Sequence, residues 1–186
     1  MMKTKISFLI LILIIFVFIS GCSSTDVSDS VRGSTDVSGT TTVKKTIVPE
    51  DFDSDGVGML KCSTEAYAGE GIDVNLKYAV KYNNGNILEL ISVQNVVSES
   101  QDSLDLYEDA YKKIALNYNG LNYYVTDIVR DSNSVTYTIT INYDEINVKK
   151  LLEIEGEEDN IIKNGKAKLS LWLDLASKMG TLCEEA

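Results

Sequence analysis

The sequence predicts an α+β domain: an antiparallel sheet of about five strands with two helices packed on one face, preceded by a signal peptide and a disordered tether. Three observations predict it. Ile72, Val74, Leu76, Tyr78, Val80 and Tyr82 alternate with Asp73, Asn75, Lys77, Ala79 and Lys81, the two-residue period of a half-buried strand. Leu104, Tyr107, Tyr111, Ile114 and Tyr118 recur at spacings of three and four, the period of an amphipathic helix. Ahead of both, a short apolar run gives way to a long polar stretch with no such pattern.

That N-terminal region reads as 1–21, a lipoprotein signal peptide, and 22–50, a lipidated cysteine with a flexible tether. Lys3 and Lys5 precede an apolar run from Ile6 to Ile19. At about 14 residues the run is short for a bilayer span of roughly 20, and it has the length of a signal-peptide core. Ile19, Ser20 and Gly21 then lead into Cys22, the pattern of a lipobox in which the cysteine sulfur takes the lipid. This predicts an extracytoplasmic chain anchored to the cell membrane through Cys22, held firmly if several acyl chains are attached. Nearly half of the residues from Ser23 to Glu50 are Ser or Thr, and none is aromatic. Such a composition buries too little apolar surface to offset the entropy of ordering.

The remainder, 51–186, has the size of one globular domain. It opens on Asp51-Phe52-Asp53-Ser54-Asp55-Gly56, which matches the first half of a calcium loop, but the twelfth position is Cys62 where a bidentate Glu is required. The simpler reading is an acidic end to the tether. Strands are expected over Gly58 to Tyr67, Ile72 to Tyr82, Ile87 to Val97, Leu121 to Arg130 and Val135 to Tyr143. Asn83-Asn84-Gly85-Asn86 makes the hairpin turn between the second and third. The third alternates less cleanly, as a bulged or doubly buried strand would. Helices are expected over Ser98 to Asn117 and Lys166 to Met179, with a short helical turn over Ile146 to Ile154. Glu153, Glu155, Glu157, Glu158 and Asp159 form an acidic loop, most simply a solvated one. The Tyr stripe and Trp172 read as core; Thr136, Thr138 and Thr140 form a ladder on an exposed sheet face.

With Cys22 used for lipid, Cys62 and Cys183 remain, an even number in a compartment where disulfides persist. A Cys62–Cys183 bond would clasp the two ends of the domain; two separate buried thiols are the alternative. The spacing offers no C-x-x-C redox motif.

Charge and composition bound the function. The net charge is −11, with 28 acidic and 17 basic residues, and no basic stripe interrupts it, which argues against nucleic acid as a partner. The chain has no His, so the usual general base and the commonest metal ligand are absent. No phosphate loop or nucleophile motif stands in a supporting context, so neither catalysis nor a cofactor is expected. The reading that remains is a binding module at the cell envelope, with an envelope protein or peptide as partner. A structural envelope role without a small ligand is the alternative, and a hydrolase or calcium-binding role ranks below both.

Three local features resemble the YehR-like family of small bacterial lipoproteins. They are Met59-Leu60-Lys61-Cys62-Ser63 at the start of the domain, the Tyr82-Asn83-Asn84-Gly85-Asn86-Ile87 turn before the long helix, and Asn142-Tyr143-Asp144 ahead of Lys149-Lys150-Leu151. The resemblance covers about Val57 to Cys183. It implies an α+β fold and an anchored location, and it supplies no catalytic residues.

Overall fold

The computed structural model describes residues 47–49, 52–69, 71–154, 157 and 161–186. The lipobox residues Ile19, Ser20, Gly21 and Cys22, the body of the tether and Asp51 lie outside them. The strands of the main sheet are β1 (Val57–Gly69), β2 (Ile72–Asn83), β3 (Asn86–Ser98), β4 (Tyr124–Arg130), β5 (Ser134–Asn142) and β8 (Leu182–Glu185). They pair antiparallel in the order β4-β5-β3-β2-β1-β8. Helix α1 (Gln101–Asn117) follows β3; the single turn α2 (Val148–Leu151) and the small hairpin of β6 (Ile162–Lys163) and β7 (Lys166–Ala167) precede α3 (Leu169–Lys178).

The sequence patterns map onto this directly. The alternation in β2 buries Val74, Leu76, Tyr78, Val80 and Tyr82 against the helices. Asn84 and Gly85 both take positive φ, as a two-residue hairpin turn needs. The irregular third strand is bulged: Lys81 pairs with Glu89 but Tyr82 with Ile87, so Leu88 is the extra residue. That is why Ile87 and Leu90, three apart, are both buried. Ser100 caps α1 by accepting from the Ser103 N–H at 3.2 Å, and Leu104, Tyr107, Tyr111 and Ile114 face the sheet.

Two helices cover one face. α1 lies over the half of the sheet made by β3, β4 and β5, with Tyr111 stacked on Tyr137 at 4.7 Å between ring centroids. Beyond it, α3 sets Trp172 edge-on to Tyr78 of β2 at 5.5 Å. The chain departs from expectation at its end. The helix expected from Lys166 begins at Leu169, because Asn164 and Gly165 make a tight turn with positive φ and fold Lys166 and Ala167 into a hairpin. Past α3, four residues pair with Leu60–Ser63 as a sixth main-sheet strand. That register sets Cys183 opposite Cys62, and the two are joined by a disulfide across 121 residues of chain.

Candidate functional site

The segment Tyr124-Val125-Thr126-Asp127-Ile128-Val129-Arg130 is rich in β-branched residues and has no Pro, Gly or Lys. It forms β4, which pairs with β5 in unbroken register and ends the sheet on that side. Asn142 donates its N–H to the Tyr123 carbonyl, and Asp131 donates to the Ser134 carbonyl, both at 2.9 Å. An antiparallel ladder alternates, so the odd-numbered residues of β4 turn their amides to β5, and Thr126, Ile128 and Arg130 turn theirs outward. The Tyr124 N–H is taken by the Leu121 carbonyl at 3.2 Å. The opposite edge is guarded differently: β8 has four residues, two of them Glu.

Beside this edge, unpaired among the described residues, runs a groove of about 380 Å³, lined chiefly by Lys112, Ala115 and Leu116 of α1 and by Tyr124, Thr126 and Ile128 of β4. Leu116 is 68% exposed on its rim. On the other face of the same strand, Val125 is 61% and Val129 46% exposed, with exposed Asp127 between them. Arg130, the last residue of β4, ties the strand to α1. Its Nη2 donates to Gln101 Oε1 at 2.7 Å and meets Asp105 Oδ1 at 3.1 Å, and its Nε lies 3.8 Å from Glu108 Oε2. Lys112 Nζ pairs with Glu108 Oε1 at 2.6 Å, and that bond holds the ammonium above its usual range.

Tyr118 also lines the groove. The Tyr118 hydroxyl donates to Glu157 Oε1 at 2.6 Å, and Glu157 is buried. Burial first, and then the Glu157 charge, push the Tyr118 hydroxyl far up; burial is also the main cause that raises Tyr123, Tyr124 and Tyr143, and the same carboxylate adds to it. The expected solvated acidic loop is therefore corrected at Glu157, which is buried and accepts from the Tyr118 hydroxyl.

The uncovered sheet face carries the Thr136, Thr138 and Thr140 ladder, with a second depression of about 500 Å³ over Ala79, Ile91 and Val93, edged by Lys61, Lys77 and Leu182. Its contour follows from small Ala79 lying between larger neighbours. The remaining sequence candidates fall elsewhere. Tyr107, Tyr111 and Trp172 are core. Asp53 caps the Asp55 N–H at 3.0 Å, Gly56 donates to Asn84 Oδ1 at 2.8 Å, and Cys62 is held in the disulfide. Among the described residues, no three acidic or Cys side chains gather as a metal would need.

No protein-family model matches the chain, and no curated protein matches it in sequence. Two solved structures resemble it. One is the NMR structure of a protein from Streptococcus pneumoniae TIGR4, 14% identical, with a TM-score of 0.42 over 89% of this chain and 100% of that one. The other is the NMR structure of the YehR protein of E. coli, 12% identical, with a TM-score of 0.47 over 72% of this chain and 94% of that one. The fold described above stands on this chain's own strand order and burial.

Proposed function

We propose that the chain is a lipid-anchored, non-catalytic binding module that holds a protein or peptide partner at the cell envelope. The run into Cys22, the Ser/Thr-rich stretch behind it and the motifs similar to YehR-like lipoproteins support the anchored location. The observation that supports binding is the β4 edge: outward amides on a seven-residue strand at the end of the sheet, beside a groove with apolar lining.

The test is site-specific photo-crosslinking in intact membranes, with the crosslinker at Val125 or at the remote position Lys163. The native chain should partition with membranes and give a discrete adduct from Val125 only. A Cys22→Ser chain should leave the membrane fraction and lose the adduct. Equal adducts from both positions, or none from either, contradict the binding reading; membrane retention of the Cys22→Ser chain contradicts the anchor.

A further inference from the structure

We propose that the β4 edge takes an extended polypeptide segment in which a Lys or Arg is flanked on each side by a small apolar residue and then by a β-branched one. This rests on the binding-module reading and names the chemistry of the partner. The outward N–H and C=O groups of Thr126, Ile128 and Arg130 form a line of alternating donors and acceptors, which another backbone strand satisfies along its whole length. β4 also lacks the Pro, bulge and Lys by which edges are kept from pairing.

Register then divides the incoming side chains. Those opposite Thr126 and Ile128 fall on the helix-covered side, in the groove beside Ala115 and Leu116, where the space suits small apolar groups. The one between them falls on the uncovered side opposite Asp127, in the closely spaced type of cross-strand pair. Asp127 is exposed and makes no ion pair among the described residues. Val125 and Val129, two positions to either side, present exposed aliphatic surface to the flanking residues. A basic centre with β-branched flanks complements that row. A second copy of this chain is a poor occupant. It brings together two molecules of net charge −11, and pairing centred on Asp127 opposes the two carboxylates.

The test uses the full chain in detergent micelles, titrated by fluorescence anisotropy with labelled synthetic peptides built around Val-Ala-Lys-Ala-Val. Replacing the central Lys by Glu should weaken binding roughly three- to fivefold, and Asp127→Lys should reverse that preference. N-methylating the two Ala amides should abolish binding. Thr126→Pro, which removes one outward donor and leaves the β5 ladder intact, should do the same with an unchanged circular dichroism spectrum. Failure of every peptide to bind overturns the proposal. So does binding that ignores the Lys-to-Glu exchange with both proteins, or that survives N-methylation. If the Thr126→Pro chain still gives the Val125 adduct in membranes, this assignment fails while the binding-module reading stands.

Discussion

Gly58 sits where the ring of Tyr82 crosses β1: a Cβ built there would run into the ring and hydroxyl of Tyr82. Phe52 packs edge-on against the same ring at 5.8 Å, which limits its room to move. Gly58→Ala should therefore lower stability by about 1–3 kcal/mol in denaturant titration, in the range of overpacked cores. The opposite sign is expected one layer in. The hydroxyls of Tyr107 and Tyr111 are buried without a hydrogen-bond partner among the described residues. A buried donor left unpaired carries its full desolvation cost, so Tyr111→Phe should raise the denaturation midpoint by an amount worth about 1 kcal/mol. Between Cys62 and Cys183, closing so long a loop contributes roughly 5 kcal/mol in the chain-entropy model. The native domain should weigh two hydrogens less than the reduced one, and reduction should lower its Tm steeply; labelling of both thiols without reductant would contradict the bond.

Among the elements, those whose pattern is local were legible in the sequence. β2 shows in its alternation, α1 in its three-four spacing and its Ser100 cap, and the β2–β3 turn in Asn84-Gly85. What was not legible depends on partners distant in sequence. β8 is four residues with no pattern of its own, and it is a strand because β1 pairs with it. Asn164-Gly165 carries the same turn signal as Asn84-Gly85, but only two residues on either side pair, too few to show a period. Glu157 reads as one acid among several, and only the fold brings the Tyr118 hydroxyl to it. The candidate site was half visible. Its β-branched strand shows in the sequence, but its place at the sheet edge follows from β5 pairing with β3, which no local pattern reports.

For the molecule as a whole, the ten tyrosines set a limit on the alkaline side. Burial pushes Tyr78 and Tyr137 each up to about 12. Tyr107, Tyr111, Tyr118 and Tyr124 are raised as well, chiefly by burial. The folded chain thus keeps protons that the unfolded chain releases near pH 10, so this stability is fully present below about 10 and is lost as pH rises through about 12. Tyr78 alone accounts for about 3 kcal/mol of it. Tyrosinate absorbance and circular dichroism should change together in one steep step within that window. A smooth tyrosinate titration near pH 10 with the fold retained would contradict this burial.

The central claim, that this is a tethered domain which binds through an open strand edge, is tested most directly by amide hydrogen exchange on the chain with and without its captured partner. The account predicts new protection at Thr126, Ile128 and Arg130, with Val125, Asp127 and Val129 unchanged because they already bond to β5. Protection confined to the uncovered sheet face or to β8, with the outward amides of β4 exchanging as before, would contradict it.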